Sequence, residues 1–205
     1  MHYNSSETVF VDSIYATLGL RQVVMIKKTV FSGFGGQGVL MMGYVLAVSA
    51  MKEDKHVTYL PSYGAEVRGG TAACTVVVSD DEIFSPVAST LDYAVIMNKP
   101  SLVKYEGSID QGGVIILNSS LVEDNPSRKD IHLVRVPAND IARELGSDRT
   151  INMIMLGALV GKTKIATQES IMNGLAQILK AKNASMMELN QKAMDKGVEY
   201  ALETA

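Results

Sequence analysis

With 205 residues the chain has length for one full hydrophobic core, since domains hold roughly 100 to 200 residues each. A net charge of -3, with 20% charged and 47% hydrophobic residues, excludes the basic footprint of a nucleic-acid binder and the composition of a disordered chain. The one cysteine, Cys74, can form neither an internal disulfide nor the four-thiolate set of an iron–sulfur cluster.

In chain order, residues 1–24 read as an N-terminal extension. Met1 to Val24 carries Glu7 and Asp12 and lacks the cationic start of a secretory signal, while Val9, Phe10, Ile14 and Leu18 trace a weak helical stripe. Residues 25–205 form the domain. Thr29 to Phe31 is a predicted strand running into a glycine-rich turn, Val39 to Met51 a predicted helix, and His56 to Leu60 a second strand. Strand, helix and strand make a βαβ unit, and its right-handed crossover is expected to set the two strands side by side and parallel.

Thr71 to Ser79 is a β-rich run, Asp80-Asp81 a turn, and Glu82-Ile83-Phe84 the expected return strand of an inserted hairpin. Tyr93 to Met97, Val114 to Leu117 and Leu133 to Val136 are short apolar runs of the kind buried parallel strands show. A helix enters at Pro100, where proline's missing donor costs little. The last third turns helical: Ile151, Ile154, Met155, Ala158 and Leu159 mark one stripe, and Ile171, Leu175, Ile178 and Leu179 a second. Ser185 and Glu188 form a capping box opening a helix from Met186 towards Leu202.

The expected fold is therefore α/β: a Rossmann-like three-layer sandwich, its mostly parallel sheet flanked by helices, with a β-hairpin insertion and a helical C-terminal third. The longest apolar run, Ile151 to Val160 with Asn152 inside it, is shorter than the roughly 18 residues of a membrane span. It reads as a buried helix, and the chain as cytoplasmic. Twelve methionines fill core or face a partner. An apolar contact face has two ways to be covered, by companion subunits or, in an isolated chain, by a second copy in a homodimer.

Two loops can carry chemistry. Gly33-Phe34-Gly35-Gly36-Gln37-Gly38 satisfies G-x-G-x-x-G between a strand and a helix, where glycines let a phosphate approach backbone donors at the helix start. The bland reading is that they let the helix pack close to the strand. An NAD site would also need an acid at the end of the second strand, and Tyr59-Leu60-Pro61-Ser62 supplies none. The second loop, Pro61-Ser62-Tyr63-Gly64-Ala65-Glu66-Val67-Arg68-Gly69-Gly70, is dense in turn formers at the sheet edge where ligands bind. Glu66 and Arg68 can pair with each other, hold the loop against a partner, or aim a guanidinium at a carboxylate or phosphate. Asn98 and Asn118 fall at the carboxyl ends of strands, and Asn98 is also suited to capping the helix at Pro100. His56 and His132 lack the spaced partners of a metal site, and Cys74 sits in an apolar strand as a core residue.

The order Gly-x-Gly-Gly-Gln-Gly-Val, Pro-Ser-Tyr-Gly-x-Glu-x-Arg-Gly-Gly-Thr-Ala-x-Cys, Ser85-Pro86 and Asn118-Ser119-Ser120, spread over Ile26 to Ala201, resembles the gamma family of 2-oxoacid:acceptor oxidoreductases. Tyr63 to Cys74 is similar to the 2-oxoglutarate and branched-chain types; pyruvate types usually carry a phenylalanine-led loop with Arg-Arg-Gly. The resemblance implies oxidative decarboxylation of a 2-oxoacid, 2-oxoglutarate by preference, to its acyl-CoA, with ferredoxin taking the electrons. It implies alpha, beta and delta partner subunits that hold thiamine diphosphate, Mg2+ and the iron–sulfur clusters, and a gamma chain inactive alone. In agreement, the chain has no Gly-Asp-Gly and no Cys-x-x-Cys. On this reading no catalytic residue lies here. Gly33, Gly35, Gly36, Gln37, Gly38, Tyr63, Gly64, Glu66, Arg68, Gly69, Gly70 and Asn98 help form the coenzyme A cleft. Two alternatives stand beside it: a non-catalytic assembly module of the same complex, and a stand-alone NAD(P)-binding oxidoreductase.

Overall fold

Short β-branched and aromatic runs become strands here because both of their faces find cover. The computed structural model describes residues 24–63, 71–180 and 184–203. Its strands are β1 (Ile26–Phe34), β2 (His56–Tyr63), β3 (Thr71–Ser79), β4 (Leu91–Ile96), β5 (Ile109–Asn118) and β6 (His132–Val136). Its helices are α1 (Val39–Met51), α2 (Lys99–Tyr105), α3 (Ala138–Glu144), α4 (Ile151–Thr163), α5 (Gln168–Ile178) and α6 (Ala184–Glu203). The expectations for residues 1–23 lie outside the described residues.

The strands form one sheet in the order β2-β3-β1-β4-β5-β6. β1, β4, β5 and β6 are parallel neighbours, whereas β3 runs antiparallel to both β1 and β2. This corrects two expectations. β2 is not the neighbour of β1, because β3 fills the slot between them: Phe34 pairs with Thr71 on one side and Tyr63 with Ala72 on the other. The hairpin is β2–β3, and Glu82 to Phe84 is not a strand; Phe84 is 96% exposed. The physical reason lies in β3 itself. Ala73 and Val77 are buried on one face, Cys74, Val76 and Val78 on the other, and a strand apolar on both faces belongs in the sheet interior. The connection from β2 is too short for a parallel crossover, so the strand returns antiparallel.

Alternation along the strands makes two cores. Phe31, Cys74, Val76, Val95, Ile116 and Val134 pack under α1, α4 and α6, while Val30, Ala94, Ile96, Ile115 and Leu117 pack with Leu102 of α2 on the opposite face. The result is the expected three-layer α/β sandwich. α4 is buried from Met153 to Gly161 because it lies between the sheet and α6. The two helices touch backbone to backbone: a Cβ on Gly157 would lie 2.3 Å from the Met194 carbonyl oxygen, and one on Gly197 2.0 Å from that of Ile154.

α3 was not legible in the sequence, since it buries only Ala138 and Ala142 and so shows no apolar stripe. α6 begins at Ala184, which places Ser185 inside the helix rather than at the expected cap. At the amino edge, Met25 donates its N–H to the Asp80 carboxylate at 3.1 Å, and Lys55 donates to the same group.

Candidate functional site

β1, β4 and β5 all end at one edge of the sheet, and the glycine turn joins β1 to α1 there. Each glycine in the turn answers a different demand. A Cβ on Gly33 would lie 2.5 Å from Gln37 Oε1 and 2.6 Å from the Met97 Cβ, so close approach requires glycine at that position. Gly36 and Gly38 have φ of +98° and +76°, a backbone region that side chains disfavour. Gly35 is exposed within the turn.

Gln37 braces this turn: its Oε1 accepts the Phe34 N–H at 2.6 Å, and its Nε2 donates to the Met97 carbonyl at 3.4 Å. Gly38 is the N-cap of α1 and provides no side-chain acceptor, and the first helical turn holds no acidic residue. The opening backbone N–H groups and the positive end of the helix dipole are therefore left for an anion.

Beside the turn lies a cavity of about 390 Å³, whose walls include Gly36, Gln37, Gly38, Met97, Asn139 and Arg149. Four elements converge on it: the β1–α1 turn, the end of β4, and the starts of α3 and α4. Buried Asn118 positions one wall, donating from its Nδ2 to Asn139 Oδ1 at 2.8 Å and accepting the Ser120 N–H. Asn152 forms another, its Nδ2 standing 3.0 Å from where a Cβ on Gly38 would be. Asp148 and Arg149 supply the cavity's charges. This is the crevice at the carboxyl ends of the strands, beside the point where strand order reverses, in which open α/β sheets bind ligands.

Sequence reasoning missed Asn139, Arg149 and Asn152. They are far along the chain from the glycine turn, and the only local sign was Asn152 as a polar interruption in the apolar run from Ile151 to Val160. Of the residues expected at the site, Gly36, Gln37 and Gly38 line the cavity and Gly33 sits behind it. Tyr63 ends β2 and pairs through its backbone with Ala72, two strand positions from β1. Gly64, Glu66, Arg68, Gly69 and Gly70 lie outside the described residues. Asn98, 2% exposed, caps α2 by accepting the Ser101 N–H at 2.9 Å, and its Nδ2 is buried without a partner.

Cys74 is walled in. Its Sγ donates to the Val39 carbonyl at 3.5 Å, and burial pushes the thiol up to about 12 against weaker opposing hydrogen bonds from Gly43 and Tyr59. A neutral core thiol of this kind does not fit a cluster ligand. His56 and His132 are exposed at the starts of β2 and β6. The insertion of β3 also moves the end of β2 one strand away from the glycine turn, so the ribose contact of a dinucleotide site lacks both its acid and its strand.

A glycine turn at the switch point of a mostly parallel sheet, opening on a polar cavity, defines a Rossmann-like α/β protein with a ligand crevice at its carboxyl edge. Residues 28–200 match the model of the pyruvate ferredoxin/flavodoxin oxidoreductase family, and the chain belongs to that family. It is 34% identical over 186 residues to the 2-oxoglutarate synthase subunit KorC of Methanocaldococcus jannaschii, covering 89% of this chain and 98% of that one. It is also 34% identical over 170 residues to the ketoisovalerate oxidoreductase subunit VorA of Methanothermobacter marburgensis, covering 83% of this chain. There the match spans only 35% of the relative's length. Among solved structures, the gamma subunit of a keto/oxoacid ferredoxin oxidoreductase from Geobacter sulfurreducens superposes with a TM-score of 0.73 at 28% identity, covering 86% of this chain and 99% of that one.

Proposed function

We propose that this chain is the gamma subunit of a 2-oxoglutarate:ferredoxin oxidoreductase, which converts the 2-oxoacid to its acyl-CoA and passes the electrons to ferredoxin. The observation that carries the reading is the end-to-end correspondence with a KorC subunit, 89% of one chain against 98% of the other. A relative matched over its whole length performs its role as a separate subunit of the same size. The VorA match, covering a third of a longer protein, supports the same unit joined to further sequence. Companion alpha, beta and delta subunits then hold thiamine diphosphate with Mg2+, which supplies the decarboxylation chemistry, and the iron–sulfur clusters that conduct the electrons. Among the described residues no group of His, Cys, Asp or Glu is placed to hold a metal ion.

This chain's own part is to form one wall of the coenzyme A cleft. The uncapped start of α1, Gly36 and Gly38 offer backbone N–H groups and room for a phosphate, and Gln37 holds the turn in shape. We place the complex in the cytoplasm; no helix among the described residues is long and apolar enough to cross a membrane.

The test is to recover the chain with its native partners and follow dye reduction that depends on both a 2-oxoacid and coenzyme A. Larger subunits carrying thiamine diphosphate and iron–sulfur, with turnover fastest on 2-oxoglutarate, are the expected result. Turnover fastest on 2-oxoisovalerate moves the chain to the branched-chain type. A complex whose coenzyme A affinity is unmoved by changes in the glycine turn makes the chain an assembly module, and a chain recovered alone that binds NAD or NADP overturns the reading.

A further inference from the structure

The edge of the sheet opposite the glycine turn, where β1, β4 and β5 begin, carries a cavity of its own. It measures about 280 Å³, and its walls include Lys27, Asp92, Tyr93, Asp110, Gln111 and Lys162. A break in strand register builds it. Leu91 pairs with Ile109 and Tyr93 with Val114, so the residues from Asp110 to Gly113 stand opposite Asp92 alone. The bulge needs its glycines: Gly112 has φ of +77°, and a Cβ on Gly113 would lie 2.7 Å from the Asp92 carbonyl oxygen. Gly112 donates its N–H to the Asp130 carbonyl at 2.7 Å, which anchors the bulge to the segment before β6. Bulges re-aim side chains and are frequent beside functional sites.

The charges around the cavity do not all find partners within the chain. Asp92 accepts from the Lys27 ammonium and from the Lys28 N–H, both at 2.9 Å, and Lys27 also lies 5.7 Å from the Tyr93 ring centroid. Lys162, partly buried in the last turn of α4, has neither an ion pair nor a hydrogen bond among the described residues. Asp110, exposed on the bulge, has neither as well; Arg128 acts on it through charge alone and is itself paired with Asp130. An ammonium and a carboxylate thus line one cavity without joining each other. A simple anion leaves Asp110 unanswered, a simple cation leaves Lys162, and a polyanion is opposed by both aspartates.

We propose that this cavity binds a free α-amino acid with a short polar side chain, its carboxylate on Lys162 and its ammonium on Asp110. Two lysines and two aspartates make the walls neutral in total, as a zwitterion requires, and Gln111 and Thr163 present hydrogen-bonding groups to the polar side chain. The site stands whether or not this chain binds coenzyme A.

The test uses the full chain and two probes, L-serine and L-glutamine, each compared with its counterpart lacking the amine and its counterpart lacking the carboxylate. Binding is followed by calorimetry and by backbone amide NMR for the wild type, Lys162→Gln and Asp110→Asn. Neither side chain holds a hydrogen bond or ion pair within the chain, so both variants keep the fold. At least one amino acid is expected to bind saturably and more tightly than both of its counterparts, shifting the amides of Gln111, Gly112 and Lys162 and leaving those of Gly36 and Gly38 unmoved. Loss of a charge-assisted contact predicts that Lys162→Gln weakens the amino acid by about ten- to a hundredfold and abolishes its advantage over the counterpart without the carboxylate. Asp110→Asn, at an exposed position, weakens it by about two- to fivefold and abolishes the advantage over the counterpart without the amine. Absence of saturable binding by both amino acids, counterparts that bind as tightly, or binding indifferent to both substitutions overturns the inference.

Discussion

At the scale of single residues, the glycine turn combines two requirements that the motif does not distinguish. Gly33 is needed for space and Gly36 for backbone conformation; Gly38 serves both, with φ of +76° and the Asn152 side chain 3.0 Å from a prospective Cβ. Gly38→Ala therefore incurs about 1–2 kcal/mol of left-handed strain and displaces Asn152 as well. The expected outcome is a melting temperature lower by a few degrees with a larger proportional loss in ligand affinity, checked by thermal unfolding alongside calorimetry. Gly36→Ala is the control: it meets nothing within 4 Å, so it carries conformational strain without moving Asn152. The glycines were legible because their stereochemistry is local. Arg149 was not, because an arginine before a helix is unremarkable until folding sets it beside a turn more than a hundred residues earlier.

At the scale of elements, two contacts set how the helices lie. Glu53, just after α1, accepts both the N–H and the hydroxyl of Thr167 at 2.8 and 2.9 Å, tying α1 to the cap of α5. Burial would raise the Glu53 pKa, but hydrogen bonds from Ser170 and Thr167, with the charge of Lys55, outweigh it and hold the carboxyl below its ordinary value. A carboxylate depressed in the fold contributes stability that is present above its unfolded pKa, about 4.3, and lost as pH falls through the folded value. Glu53→Gln is expected to cost about 1 kcal/mol or less at neutral pH, given solvent screening, and its difference from wild type should shrink below about pH 4, as denaturant midpoints at several pH values would record.

The α4–α6 crossing is less forgiving. A Cβ on Gly197 would meet the Ile154 carbonyl oxygen at 2.0 Å and the Ala158 nitrogen at 2.9 Å, both backbone atoms of a buried helix. Gly197→Ala should destabilise by about 1–3 kcal/mol or more, read as a lower urea midpoint with an unchanged slope. The strands and α1, α4 and α5 were visible in the sequence because each carries its own apolar run or stripe, and α6 was expected from the Ser185 and Glu188 pair although the helix begins at Ala184. α3, with two buried alanines, carried none.

At the scale of the whole molecule, the sheet order predicts where the fold is firmest. β1 and β4 lie inside the sheet, paired on both sides and covered on both faces, while β2 and β6 are its edges. Amide hydrogen exchange should be slowest at Phe31 and Val95 and fastest, among strand amides, along β2, with the β1 and β4 amides approaching the global unfolding limit. Equal protection of β2 and β1 would contradict this order.

Local chemistry in the sequence determined the α/β class, the positions of most elements and the glycine turn, because strand and helix periodicity and glycine's access to positive φ act over a few residues. The tertiary structure alone decided that β3 enters between β1 and β2 and that Asn139, Arg149 and Asn152 gather at the glycine turn. Those outcomes depend on which distant apolar faces cover one another. The burial that selects among them exists only once the whole sheet and its helices are assembled.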